Sequence, residues 1–304
     1  MALLTFILIF LSALVFIAKS NWSALRIAYS LLAMTIAFWG LFLFACDFDL
    51  PFGLRTTILD LIMVPPIFTP LFLTFIVYNY SNPLETKWPP IVLLVIHILQ
   101  IIIFLDLSFQ GLVTPFRIER GEAVFKGGAY YYLFSAYLFC SILFCIGKIF
   151  ANFNRAVYYI KLHSLYLGFG IILGAAFTAL PFFVFPALKL SLNFLFVIGI
   201  LFSVWITWIP ISQHRLFNLD LMDFRMDLQE PKLSSAIIAV NRVILNKLDS
   251  EAYQAECTKY EEERERIVFE LSQKLIVEKH RLGHASFPEK TWEFVRKIMK
   301  LFIK

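Results

Sequence analysis

The stretch ILDLIMVPPIFTPLFLTFIVY, from Ile58 to Tyr78, decides what kind of protein this chain is. Apart from Asp60 and two threonines it is apolar, and as a helix it is long enough to cross about 30 Å of hydrocarbon. Three prolines interrupt it: Pro65, Pro66 and Pro70. Prolines are tolerated in membrane helices when neighbouring groups satisfy the freed carbonyls. The stretch therefore predicts a membrane span, whose prolines indicate either ordinary bundle packing or a hinge that a signal could bend.

The rest of the chain has the same character. Of its 304 residues, 60% are hydrophobic and 16% are charged, and the mean hydropathy is +0.75. So much apolar surface cannot be buried in one water-soluble core. Seven apolar runs are long enough to cross a membrane: Leu3–Ala18, Ile27–Cys46, Ile58–Tyr78, Pro90–Leu105, Tyr130–Ile149, Leu162–Phe183 and Leu190–Ile211. The predicted fold is all-α, a polytopic membrane seven-helix bundle.

Charged residues divide the chain and orient it. They become dense from about Arg215 onward, which predicts a seven-transmembrane domain at residues 1–220 and a helical tail at residues 221–304. The loop that contains Lys148, Arg155 and Lys161 has no acidic residue, and Lys19 follows the first run. Because cytoplasmic loops are enriched in Lys and Arg, we expect the N-terminus outside and the tail in the cytoplasm.

The longest loop predicted to lie outside contains FRIERGEAVFKGG, from Phe116 to Gly128. Polar and apolar residues alternate from Phe116 to Glu119, Gly121 suits a turn, and an apolar run resumes at 123–125, which together predict a short outer β-hairpin. We expect its charged side to face water. The apolar residues expected to rest on the helix ends are Phe116, Ile118, Val124 and Phe125. Such a hairpin either seals the bundle or forms one wall of a ligand pocket.

Four polar residues of the predicted spans are candidates for ligand binding or sensing: Asp60, His97, Gln100 and Asn193. Ionisable groups at membrane depth are costly, so they are often functional; the alternative is an interhelical hydrogen bond. Gln100 follows His97 by three residues and therefore shares its helix face. His97 is also a candidate proton sensor, because imidazole titrates near neutral pH.

The tail is predicted to be helical. Four of its apolar residues follow a heptad pattern: Val268, Leu271, Leu275 and Leu282. The pattern is short for a coiled coil, so a homodimer and a single solvated helix both remain open. A final basic, aromatic helix contains Trp292, Arg296, Lys297 and Lys300. Such a helix suits the surface of the lipid bilayer, an acidic partner groove, or packing on the rest of the tail.

Several motifs occur together in this order along the chain. They are Ala37-Phe38-Trp39, Val64-Pro65-Pro66 with Pro70, Phe72 and Tyr78, the run Tyr130-Tyr131-Tyr132-Leu133-Phe134, and the exit from the last span, which includes His214, Arg215, Leu216 and Phe217. With them, about residues 5 to 224 resemble the seven-transmembrane N-terminal sensor region of bacterial histidine kinases. The resemblance implies a sensor in the bacterial inner membrane that contacts a cytoplasmic signalling partner.

Enzyme motifs are not visible. The residues after Asp220 are too few for a phosphoacceptor helix pair and an ATP-binding domain, and the segment around His284 lacks the acidic neighbour of a phosphoacceptor box. Zinc-peptidase, serine-hydrolase, P-loop and dinucleotide-binding motifs are also missing. The four cysteines have no disulfide or zinc spacing, and the near-balanced tail charge does not indicate nucleic-acid binding. We therefore expect no catalysis, cofactor, metal or nucleic-acid partner.

The sequence thus predicts a membrane sensor that relays a stimulus through its cytoplasmic tail to a separate output protein. One alternative is a transporter or permease subunit, although no internal repeat or pair of broken helices is visible in the sequence. The other is a scaffold that anchors a cytoplasmic complex, which only the tail supports.

Overall fold

A computed structural model of the chain describes residues 2–18, 24–46, 50–81, 86–119, 122–153, 158–179 and 199–207, and separate residues between 243 and 273. The chain forms two compact units. The first contains Met1–Ala156 and His163–Ser212, and the second contains Val157–Leu162 and Gln213–Lys304. Several predicted site residues lie outside the described residues: Asn193, His214, Arg215, Leu216, Phe217, Trp292, Arg296, Lys297 and Lys300.

The described residues before position 208 are mostly helical. The helices are α1 (Ala2–Ala18), α2 (Ala24–Cys46), α3 (Phe52–Leu61), α4 (Val64–Ile67), α5 (Thr69–Asn79), α6 (Ile91–Phe109), α7 (Ala129–Phe153) and α8 (Tyr158–Ala179). Residues 199–207 are also helical. Five helical segments among the described residues are long and apolar enough to cross a membrane: α2, the segment from α3 to α5, α6, α7 and α8. These helices indicate a polytopic helical membrane protein.

The count of seven spans stays a prediction. Helix α1 is apolar but shorter than the five, and the structure describes only residues 199–207 of the predicted seventh run. The third segment begins at Phe52 rather than Ile58. There the hydroxyls of Thr56 and Thr57 donate to backbone carbonyls four residues earlier, at 2.9 and 3.0 Å. Polar residues whose hydrogen bonds are satisfied within the helix can thus extend it beyond the apolar run.

The third span, defined here as α3 to α5, is broken twice. Turns at Ile62–Met63 and at Phe68 separate its three helices. A proline has no amide hydrogen, so the prolines of this span cannot bond to the carbonyls of the preceding turn. At the two turns, hydrogen bonds join residues three apart instead of four. The Ile62 amide donates to the Leu59 carbonyl at 3.4 Å, and the Phe68 amide donates to the Pro65 carbonyl at 3.2 Å. The predicted span from Ile58 to Tyr78 is thus helical, but it is divided into pieces rather than continuous.

Among the described helices, α2 and α5 each pack against several others. Helix α2 packs against α1 and every piece of the third span, and α5 also packs against α6 and α7. Helix α6 is peripheral, because it buries mainly one face, with His97, Phe104 and Ser108. Many of its other side chains are exposed apolar residues, such as Val92 and Ile102. An exposed apolar face of this kind suits contact with lipid.

A two-stranded hairpin connects α6 to α7. Strands β1 (Phe116–Glu119) and β2 (Glu122–Phe125) are antiparallel, with Arg117 opposite Val124. Strand β1 packs against α3. Directly opposite residues share one face of a hairpin, so Val124 lies beside Arg117, and its side chain is 38% exposed. The expectation that Val124 rests on the helix ends is therefore wrong.

Candidate functional site

A cavity of about 130 Å³ lies inside the first unit. Its walls come from α2, the third span, α7, α8 and residues 199–207. One wall residue from each, in that order, is Trp39, Pro66, Phe134, Ile171 and Val204. Most of the wall is apolar, a few hydroxyls interrupt it, and none of the residues that line it is charged. A largely apolar cavity with few polar groups is the usual form of a small-molecule site.

One wall of the cavity is the broken part of the third span. Met63, Pro66 and Thr69 line the cavity, and each lies in, or within two residues of, one of the two turns that divide this span. Backbone hydrogen bonding is least regular there, because prolines have removed amide donors. A molecule in the cavity would thus contact the third span where its backbone hydrogen bonding is least regular.

Another wall of the cavity lies where α8 packs closely against residues 199–207. The Ser203 hydroxyl donates to the Gly170 carbonyl at 2.6 Å. A Cβ atom at Gly170 would collide with the Thr207 side chain and lie 3.2 Å from the Thr207 backbone nitrogen. The Tyr29 hydroxyl of α2 donates to the Val204 carbonyl and contacts the Thr207 hydroxyl. Close backbone approach and hydrogen bonds therefore fix this wall.

A buried polar cluster lies beside the cavity, around His97. The His97 side chain is only 5% exposed. Its Nε2 atom is 3.0 Å from the Thr74 hydroxyl, and its Nδ1 atom is 2.6 Å from the Tyr137 hydroxyl. The Thr74 hydroxyl also lies 3.8 Å from the Cys145 sulfur. Both ring nitrogens of His97 thus have partners from other helices, as a buried neutral imidazole requires.

Aromatic rings connect this cluster to the cavity wall. The ring of Phe134, which lines the cavity, packs edge-on against Phe104 with 5.1 Å between ring centroids. The Phe104 ring stacks on Tyr137 at 6.0 Å. Tyr137 in turn binds His97. His97 does not line the cavity itself, but it is connected to the wall through two aromatic side chains.

The other predicted sensing residues lie elsewhere. Gln100 has no hydrogen-bond partner among the described residues and does not line the cavity. Asp60 lies at the turn that ends α6, where its carboxylate packs against Gly111. Gly111 has a φ of +68°, and its amide donates to the Ser108 carbonyl at 2.9 Å. Glycine suits such a helix end because it has no Cβ. Of the described sensing candidates, none lines the cavity.

Sequence reasoning missed the cavity residues because they are small or apolar, and such residues are expected in any membrane helix. Four of them carried a signal: Pro66 belongs to the proline cluster that raised the hinge alternative, Trp39 belongs to the Ala37-Phe38-Trp39 motif, and Tyr131 and Phe134 belong to the Tyr130–Phe134 run. Comparisons with protein-family models, with curated proteins and with solved structures give no match. The resemblance to seven-transmembrane sensor regions therefore stays a prediction.

Proposed function

We propose that this protein is a membrane sensor whose bundle responds to a small molecule and relays the response through α8 to the cytoplasmic tail, and from there to a separate output protein. One observation carries the proposal. Helix α8 runs unbroken from Tyr158 to Ala179. Lys161, near its start, forms an ion pair with Asp249 of the tail, while Ile171 and Thr178 further along line the cavity.

The ion pair is short and partly buried. Lys161 Nζ lies 2.5 Å from Asp249 Oδ2, and the two side chains are 22% and 28% exposed. Both partners of an ion pair must lie on the same side of a membrane. If α8 crosses the membrane, the chain must cross again between Ala179 and Asp249. The ion pair thereby supports a seventh span in the predicted run Leu190–Ile211 and a tail on the same side as the basic loop between α7 and α8.

The relay is tested by reversing the charges of this pair. We expect Lys161→Asp to change the activity of a kinase, cyclase or phosphatase that co-purifies with the full chain from native membranes. The double variant Lys161→Asp/Asp249→Lys should restore it. Arg266→Asp is the control, because the Arg266–Glu270 contact of 3.9 Å is exposed. An exposed pair contributes about 1 kcal/mol or less, so Arg266→Asp should fold, and output activity is scored only in variants that fold.

A chain truncated after Asp223 is the negative control for the purification, because it lacks the tail. Output activity that is the same in the wild type, in Lys161→Asp and in the double variant would contradict the relay. A partner that is retained with unchanged activity in every full-length variant, and lost only on truncation, would favour the scaffold alternative.

A transporter is the second candidate, and the broken third span is the observation that favours it. Transporters often bind substrates at discontinuous helices, which usually occur in pairs related by an internal repeat. Among the described spans, only the third is interrupted. The uncharged cavity also counts against a transporter, because uncharged apolar molecules cross lipid without a carrier. Uptake of radiolabelled amino acids or sugars into proteoliposomes, above that of protein-free liposomes, would favour the transporter.

A further inference from the structure

We propose that the cavity binds an uncharged, mainly apolar molecule about the size of one substituted aromatic ring, and that this molecule donates a hydrogen bond to the wall. The inference deepens the proposed function, on which it rests for the consequence of binding, and it names the ligand class of the sensor. Size, charge and hydrogen-bonding capacity of the wall each point to this class.

The size of the cavity fits a single ring. Its volume of about 130 Å³ is close to that of an engineered apolar cavity of about 150 Å³ that holds benzene. Aromatic side chains form part of the wall, among them Trp39, Phe134 and Phe139. Aromatic rings favour edge-on or offset contacts with one another. A flat, ring-shaped ligand therefore matches both the volume and the wall.

The wall also selects against charge. The residues that line the cavity include no Asp, Glu, Lys, Arg or His. A charged group buried without a partner carries a large desolvation cost. A ligand with a carboxylate, phosphate or ammonium group is thereby disfavoured.

The hydroxyls of the wall are mainly hydrogen-bond acceptors. Thr35 donates its hydroxyl hydrogen to the Leu32 carbonyl at 2.7 Å, and Thr178 donates to the Gly174 carbonyl at 2.7 Å. Ser203 uses its hydrogen in the same way. A hydroxyl has one hydrogen and two lone pairs, so these groups can still accept but no longer donate. The Thr69 hydroxyl also lines the cavity and can accept a hydrogen bond in the same way. A ligand that donates a hydrogen bond therefore complements the wall better than one that only accepts.

The matched probes are p-cresol and p-xylene, which differ by a hydroxyl in place of a methyl group. The full chain is reconstituted in lipid nanodiscs, and its thermal unfolding midpoint is measured against probe concentration. A ligand that binds only the folded protein raises this midpoint. We expect a saturable rise with p-cresol and a smaller one with p-xylene. Uptake into lipid is the same for every protein variant, so only differences between variants are scored.

Filling the cavity should abolish the response. Ala33 lines the cavity from α2, and Ala33→Leu is expected to remove the rise with both probes. Ala136→Leu is the control, because Ala136 is exposed on α7 and does not line the cavity. If Ala33→Leu does not fold, Ala175→Leu tests the same point from α8, since Ala175 also lines the cavity.

Removing one wall hydroxyl should affect only the probe that can use it. We expect Thr69→Val to weaken the binding of p-cresol about fivefold, as for the loss of one hydrogen bond, and to leave the binding of p-xylene unchanged. Thr57→Val is the control, because Thr57 is exposed on α3 and does not line the cavity.

Three results would overturn the proposal: no saturable rise with p-cresol, an equal rise in Ala33→Leu and the wild type, or equal effects of p-cresol and p-xylene. Binding is measured without any output protein, so failure here leaves the charge-reversal test of the relay intact. Conversely, p-cresol binding that does not alter the co-purified enzyme would contradict the relay and leave the ligand site standing.

Discussion

The third span and α8 line the same cavity, yet one is broken and the other is continuous. The third span contains three prolines and divides into α3, α4 and α5, whereas α8 contains three glycines and runs unbroken from Tyr158 to Ala179. Proline removes a backbone donor and interrupts the helix. Glycine removes only a side chain, so the helix stays intact and a neighbour can approach closely. Proline and glycine both disfavour a regular helix, yet here the prolines break one span and the glycines leave the other intact.

This difference assigns the two walls different roles in the proposed sensor. The third span contacts the cavity with its least regular backbone, at Met63, Pro66 and Thr69. Helix α8 contacts the cavity and continues to the ion pair with the tail. One hydrogen bond connects the two directly, from Tyr80 at the end of α5 to the Ser164 hydroxyl, at 2.8 Å. A movement of the third span is therefore expected to reach α8.

The largest expected effect comes from the close approach at Gly170. Gly170→Ala places a methyl group against Thr207 and should lower the free energy of unfolding by about 1–3 kcal/mol, as for an overpacked core. Gly147→Ala is the matched control, since a Cβ there meets nothing within 4 Å, and it should be neutral or stabilising by up to about 1 kcal/mol. Denaturation of the purified chains measures both. Equal effects would show that α8 does not pack as closely as described.

A smaller effect is expected on the other side of the third span, at His97. His97→Leu removes the hydrogen bonds to Thr74 and Tyr137, and it should cost about 1 kcal/mol, since such bonds in membranes average about 0.6 kcal/mol each. Gln100→Leu should cost almost nothing. The sensing hypothesis adds that His97→Leu abolishes the output response while the protein stays folded. An unchanged response of the co-purified enzyme would remove His97 from the relay.

The smallest effect on stability is expected at the hydrogen bond between Tyr80 and Ser164, which joins the third span to α8. Tyr80→Phe deletes the hydroxyl that bonds to Ser164 and also to Asn152 of α7, and it should cost about 0.6 kcal/mol for the Ser164 bond. Its effect on output should be larger than its effect on stability, because it uncouples the third span from α8. Tyr130→Phe is the control, as Tyr130 is exposed at the start of α7. If both variants respond to p-cresol like the wild type, the two walls are not coupled through this bond.

Much of the fold followed from hydropathy, because lipid demands apolar side chains along a span. The predicted runs Leu3–Ala18 and Pro90–Leu105 lie within one residue of α1 and the start of α6. The hairpin also followed from alternation. Its faces did not, because Val124 and Phe125 are consecutive in a strand and cannot share a face. The prolines of the third span indicated a hinge as one alternative. The positions of its two breaks could not be predicted, because they depend on which backbone carbonyls find other hydrogen-bond donors.

The candidate site was much less predictable. His97 stood out as a polar residue in an apolar run, but its partners Thr74 and Tyr137 are 23 and 40 residues away in sequence. Periodicity assigns a residue to a helix face and does not say which helix that face meets. The same limit applies to the cavity, whose walls combine small and apolar residues from several helices. Gly111 carried a usable signal, since a glycine shortly after the end of an apolar run is typical of a helix end.

The most direct test of the account is whether a molecule in the cavity moves the tail relative to α8. Nitroxide labels are placed at Leu165 and Ser250, two exposed positions, in a chain without native cysteines, and the distance distribution between them is measured with and without p-cresol. The account predicts a shifted distribution in the wild-type background and none in Ala33→Leu. An unchanged distribution in a chain that binds p-cresol would contradict it.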